Sequence, residues 1–282
     1  MLDGARVELT LYGAHADDID VEIAAATMRR LDQPRFVVVR FDSRATALAA
    51  FEPVMQALDD YLLLDALCVT QGTWRSLLCT EDECCPPQGR PLDSDLAAEY
   101  VALGSAPFAS CDDLTAALRP VALSEPEHAL RAAATAAASA SDDANTRLTD
   151  VLVALVSGNL DDWRNRMTVC VGLGDYRVRD GVLRHLYDNP SDRLAVRGSL
   201  LGLVGYAPCD VVAAVATTLA GCAWLDGNAA LTQIALRHAQ DADAAYSLAR
   251  LLDRALRHAV PPCVWTQSLA AVSMDDCVAG AA

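Results

Sequence analysis

The chain has 282 residues, 53% apolar and 21% charged, enough to bury one large core or two ordinary ones and too apolar for a disordered chain. A formal net charge of −16 repels phosphate backbones and anionic lipid, so neither nucleic acid nor a membrane is expected as a partner. All 22 basic side chains are arginine, which excludes a Walker-type phosphate lysine, a Schiff-base lysine and a Ser–Lys nucleophile pair.

With aromatics at only 5%, the core has to be built from Ala, Leu and Val. The heavy use of Ala, Arg, Asp and Val is that of a GC-rich genome. The opening residues Met1 to Glu8 show neither the basic region nor the apolar run of a signal peptide. The longest apolar window, Val211–Leu225, is interrupted by threonines and a glycine, so no membrane span is expected. The expected compartment is the cytoplasm. Ten cysteines, at 68, 79, 84, 85, 111, 170, 209, 222, 263 and 277, follow no repeating spacing, and the chain is too long for a secreted disulfide scaffold. Most of them are expected to be reduced, buried and used as small hydrophobes.

In chain order, Val7–Leu11 alternates with period two and reads as a half-buried strand. Asp17–Leu31 carries Ile19, Val21, Ile23, Ala24 and Met28 at helical spacing. Phe36–Phe41 is a near-continuous apolar run, the pattern of a central strand covered on both faces. Ser43 or Asp42 can cap the next helix, whose apolar face includes Leu48, Phe51, Val54, Met55 and Leu58. Asp65–Thr70 and Trp74–Cys79 flank Gln71-Gly72-Thr73 and read as a hairpin. A helix capped by Asp93 or Ser94 follows and runs to Gly104, and Ser110 with Asp113 forms a capping box before Leu114–Leu118. Strands alternating with helices predict a mainly parallel sheet flanked by helices.

Pro120–Pro126 breaks this pattern and sets the expected boundary between an α/β domain, 1–122, and a helical domain, 123–282. Helices are expected over 127–139, 145–156, 163–171, 178–187, 192–204, 211–225, 229–239 and 244–259, separated by Gly and Pro stops. Ala223–Leu231, Ala235–Ala239 and Tyr246–Ala249 resemble tetratricopeptide-like helical hairpins, with a Trp, a turn glycine and small packing residues. The second half is therefore expected to be an all-α helical-hairpin domain.

The segment Trp74 to Pro91 concentrates the chemistry: three cysteines, three prolines and a glycine crowd a short loop directly after a strand. The candidate site residues are Trp74, Arg75, Ser76, Cys79, Asp82, Cys84, Cys85, Gly89 and Arg90. Three readings of Cys79, Cys84 and Cys85 stand side by side. The first is a zinc site, whose C-x₄-C-C spacing departs from the usual paired chelating cysteines and would need Cys111 or Cys68 as a distant fourth ligand. The second is a disulfide from Cys79 to Cys84 or Cys85. The third is a set of buried thiols in a proline-stiffened loop. Glu81, Asp82 and Glu83 read as a solvated acidic tip, with Arg75 and Arg90 placed to fork onto its carboxylates or, for Arg90, to bind an anion.

A cysteine nucleophile would need a histidine, and His15, His128, His185, His238 and His258 are all distant in sequence. Gly172-Leu-Gly174-Asp175 lacks the third glycine of a nucleotide loop. Asp175, Arg177, Arg179 and Asp180 read as an inter-helix ion-pair network, and Arg177, Arg179 and Arg184 as the best local basic patch.

Trp74–Cys79, Cys84–Leu92, Ala98-Glu99 and Leu118–Pro120 resemble the actinobacterial domain-of-unknown-function family DUF4192. Gly174–Asp180, Ala223–Gly227, Tyr246–Ala249 and Pro261-Pro262 are similar to its later blocks. The resemblance covers most of the chain and is most specific at the double-cysteine proline segment. Members carry a longer N-terminal region ending in a leucine- and glycine-rich segment, so the resemblance implies a shortened member. It implies no activity. The expected function is a non-enzymatic interaction or scaffold protein whose helical half meets a protein partner or a second copy. The alternative is a small-ligand- or metal-binding protein, or an enzyme, with its site at the Cys79–Arg90 loop on the sheet edge.

Overall fold

Two hydrophobic periods divide the chain: short runs of strand character before residue 92 and helical spacing after residue 110. The computed structural model describes residues 9–12, 16–30, 36–41, 43–58, 65–70, 72–91, 111–140, 143–258, 260 and 262–280. The chain separates into two compact units, Met1–Ala97 with Arg257–Ala259, and Ala98–Leu256 with Val260–Ala282. The helix read over 93–104, the Ser110 cap, His15 and the side chain of Cys111 lie outside the described residues.

In the first unit, β1 (Leu9–Tyr12), β2 (Phe36–Arg40), β3 (Asp65–Thr70), β4 (Thr73–Ser76) and β5 (Arg90–Pro91) lie side by side in chain order. β1 and β2 pair in parallel, as do β2 and β3, while β3–β4 and β4–β5 are antiparallel. Helices α1 (Val21–Arg30) and α2 (Arg44–Gln56) lie in the two parallel crossovers. Of the two cap readings, Ser43 serves, its Oγ accepting the Thr46 amide at 3.1 Å. Met28, Val39, Phe41, Ala47, Phe51, Val54, Ala66 and Cys68 form this unit's core.

The expected mainly parallel α/β sheet is corrected. Helix dominates the chain, and the part of the sheet that carries the cysteine loop is a small three-strand antiparallel one, β3–β4–β5. The reason is connection length. A parallel neighbour needs a crossover of a dozen residues or so, whereas Thr70 already pairs with Thr73, so the turn between them can only send β4 straight back.

The second unit contains α3 (Cys111–Ala117), α4 (Glu125–Ala138), α5 (Ala144–Ser157), α6 (Trp163–Gly174), α7 (Tyr176–Asp188), α8 (Arg193–Leu203), α9 (Val212–Leu225), α10 (Ala229–Ala242), α11 (Ser247–Arg257), α12 (Pro262–Ala270) and α13 (Met274–Ala279). The eight helices expected between 127 and 259 form, with ends moved by a few residues. Two more follow. Ser273 and Asp276 cap α13 reciprocally, each side chain bonding the other's amide at 3.1 Å.

The helical-hairpin expectation is corrected as well. A tetratricopeptide-like helix keeps one face free for a groove, but every residue of α9 from Ala213 to Leu225 is buried. Small residues let its neighbours close in, with Trp265 seated over Gly221, while Thr217 and Thr218 return their hydroxyls to the Ala213 and Ala214 carbonyls at 2.6 and 2.8 Å. Trp224 stacks on Trp265 with ring centroids 5.0 Å apart. α9 is therefore the buried axis of a bundle, packed against α6, α7, α8, α10 and α12.

Two glycines separate packing from propensity. A Cβ on Gly205 would lie 2.6 Å from the Arg119 backbone oxygen, while one on Gly198, inside α8, would meet nothing within 4 Å. Gly205→Ala should destabilise by about 1–3 kcal/mol, and Gly198→Ala should stabilise by about 0.5–1 kcal/mol. Urea unfolding of both variants checks this, and shifts of the same sign would refute the packing account.

Candidate metal centre

The site begins where β4 stops. Ser76 is 1% exposed, and its hydroxyl donates to Asp65 Oδ1 at 2.5 Å. Ser76 Oγ in turn accepts the amides of Leu78 at 3.1 Å and Cys79 at 2.9 Å, which draws the chain out of the ladder. Cys79 enters the loop at this point. A turn over Asp82–Cys84 follows, closed by the Cys85 amide on the Glu81 carbonyl at 2.7 Å. The Gly89 amide then bonds the Pro86 carbonyl at 2.8 Å, and β5 returns alongside β4 with Arg90 opposite Trp74. Gly89 sits at φ 76°, and a Cβ there would press on Thr73 Oγ1 at 3.0 Å and the Trp74 carbonyl at 3.2 Å. Only glycine fits that corner without strain.

This course brings Cys79, Cys84 and Cys85 together, with their sulfurs all within 4.8 Å of one another. It is the one such grouping of potential metal-binding side chains among the described residues. All three thiols are free. Cys85 is buried, Cys79 half-buried and Cys84 exposed, so the buried-thiol reading holds for one of the three. A hydrogen bond from the Ser76 backbone lowers the Cys85 pKa below that of an ordinary thiol, outweighing the opposing effect of burial. Hydrogen bonding to Cys85, then to Cys79, raises that of Cys84. The two adjacent thiols thus shift in opposite directions.

The other expected site residues fall around this cluster unequally. Arg75 pairs with Asp82 at 3.4 Å, a long contact to a side chain 72% exposed, and Arg90 Nε donates to the Cys84 carbonyl at 2.9 Å instead of to a carboxylate. Trp74 and Arg75 take their places in the β4 ladder opposite Val69 and Cys68. Cys68 points into the core, where burial raises its pKa, and it does not join the cluster. Cys111 opens α3 in the second unit. Sequence reasoning missed Asp65, the Ser76 partner; a carboxylate at the start of an otherwise apolar strand, where Asp is depleted, was the available signal.

None of the described histidines joins the sulfurs. His185 bonds Asp192 at 2.8 Å, His128 approaches Arg131 at 3.4 Å, and burial lowers the pKa of His238. Gly172 and Gly174 end α6, while Asp175 caps α7 and pairs with Arg177 at 2.8 Å and Arg147 at 3.5 Å, so this segment is an inter-helix ion-pair network. Arg179 and Arg184 are paired with Asp180 and Asp188, which neutralises the expected basic patch.

The profile of one family, Domain of unknown function (DUF4192), matches residues 4–263. The chain belongs to this family. No curated protein and no solved structure matches it. In this DUF4192 chain, no helix among the described residues is long and apolar enough to cross a membrane.

Cys85→Ser and Cys84→Ser should separate clearly in thermal unfolding. The buried Cys85 should lower the melting temperature, while the exposed Cys84 should leave it within error; equal effects would refute the assigned burial. Gly89→Ala should cost about 1–3 kcal/mol for the forced left-handed backbone, read from denaturant midpoints.

Proposed function

We propose that this DUF4192 chain binds a thiophilic metal or metalloid ion through Cys79, Cys84 and Cys85. The observation that carries the reading is the mutual approach of three free sulfurs to within 4.8 Å, on a loop pinned by Ser76 at one end and by Gly89 at the other. Thiolates are soft donors and select zinc, monovalent copper and similar ions over magnesium and calcium. Zinc–sulfur bonds of about 2.3 Å put neighbouring sulfurs roughly 3.8 Å apart in a tetrahedron, so the cluster contracts by about 1 Å at most to receive an ion. A reducing cytoplasm suits such a site because it keeps thiols free. The lysine-free, GC-rich composition fits an actinobacterial source.

A second reading, a protein-interaction surface, is favoured by one feature of the helical unit. A groove of about 720 Å³ is lined by the small residues Ala195, Gly198 and Gly202 and by Leu160, Leu203 and Tyr206. A protein segment or a second copy of the chain is the occupant its small, partly apolar lining suits.

Cadmium(II) titration of the reduced protein should give saturable sulfur-to-metal absorption at one ion per chain. Cys84→Ser should weaken binding by more than about 10-fold, since even a supporting contact is worth that much. Equal binding by the wild type and a Cys79→Ser/Cys84→Ser variant would remove the cluster as the site.

A further inference from the structure

We infer that the three-sulfur cluster is a three-coordinate site for trivalent arsenic, taken up as the neutral hydroxide As(OH)₃. The inference rests on the thiophilic-ion reading and names the ion class. Donor number is the first observation. The group comprises Cys79, Cys84 and Cys85 alone, and no fourth cysteine, histidine or carboxylate among the described residues joins it. Structural zinc sites close with four protein ligands, whereas trivalent arsenic makes three covalent bonds and fills the fourth direction with its own lone pair.

Charge is the second observation. Glu81, Asp82 and Glu83 lie within the loop, against Arg75 and Arg90 at its ends, in a chain of formal net charge −16. Arg75 is engaged with Asp82, and Arg90 with the Cys84 carbonyl. Three thiolates around a divalent ion leave one uncompensated negative charge beside these carboxylates, and around a monovalent ion they leave two. Around trivalent arsenic they leave none, so like-charge repulsion weighs least on this ion.

Access is the third observation. Cys84 is exposed, Cys79 half-buried and Cys85 buried, so the cluster opens on the Cys84 side and is backed on the Cys85 side. A neutral hydroxide enters from solvent without crossing the core. The exchange balances with no oxidant: three S–H and three As–OH bonds break, three As–S bonds form, and each thiol proton leaves with a hydroxide as water. Arsenic stays trivalent throughout.

The test titrates the reduced protein with sodium arsenite and, separately, with zinc, following the thiols and recording arsenic X-ray absorption of the complex. The expected result is one arsenic per chain, three sulfur neighbours, no oxygen neighbour, and arsenite displacing zinc. Cys84→Ser should weaken arsenite binding by more than about 100-fold, beyond what loss of a supporting contact costs. Because Cys84 is exposed, this variant keeps the core intact, and Cys209→Ser, at an exposed cysteine outside the cluster, should bind as the wild type does. Arsenic held by two sulfurs, or zinc outcompeting arsenite, would overturn the inference and leave the thiophilic site standing. Failure of zinc, cadmium and arsenite alike would remove both.

Discussion

One hydroxyl organises the site. Ser76 Oγ has one proton to donate and two lone pairs to offer, and the fold uses all three. The proton goes to Asp65, and the lone pairs take the amides of Leu78 and Cys79. Those two amides would otherwise extend the β4 ladder, so the hydroxyl ends the strand and tilts the following chain into a loop. The Cys85–Glu81 turn and the Gly89 corner then decide where that loop closes, and the meeting of three sulfurs follows from backbone geometry. In a buried position a partly satisfied Ser–Asp pair would be costly, and here the hydroxyl makes all three of its bonds.

The direction of β4 changes what the site can be compared with. In parallel α/β sheets, ligands gather beyond the carboxyl ends of the strands. β4 runs against β3, so its own carboxyl end lies beside Asp65, at the amino end of β3. The cysteine loop is therefore on the opposite edge of the sheet from the one the parallel-sheet rule selects. It is a local feature of an antiparallel ribbon, and its chemistry depends on residues 65 to 91 more than on the crossover helices.

How much of this was legible depended on whether a signal was local. Helices with apolar spacing and Gly or Pro stops were readable, because period and punctuation are properties of a few neighbouring residues. The crowding of Cys79, Cys84 and Cys85 was readable for the same reason. The antiparallel return of β4 was readable too, because Gln71-Gly72-Thr73 marks a hairpin, but its end at Ser76 was not, since nothing in Trp74–Cys79 itself announces the stop. β5 is two residues long and carries a proline, so no pattern announced it. The burial of α9 on every side was hidden because a helix rich in Ala, Val and Thr has no polar face to orient it, and a single Trp-plus-glycine block looked like a repeat unit. Asp65 escaped because its partner lies eleven residues away in the hairpin.

The cysteines show why counting a residue type says little about its chemistry. Cys170 and Cys222 lie in the helical core, where burial above all pushes their thiols up to about 12. Cys85 is buried too, yet it moves the other way, because the Ser76 backbone hydrogen-bonds its sulfur and stabilises the anion more than desolvation penalises it. Exposure does not explain the contrast either: Cys84 is exposed, yet its pKa is raised, by hydrogen bonding to Cys85 and then to Cys79. What separates the clustered thiols from those of the helical core is the set of hydrogen-bonding groups around them. That set exists only because the chain leaves the sheet at Ser76.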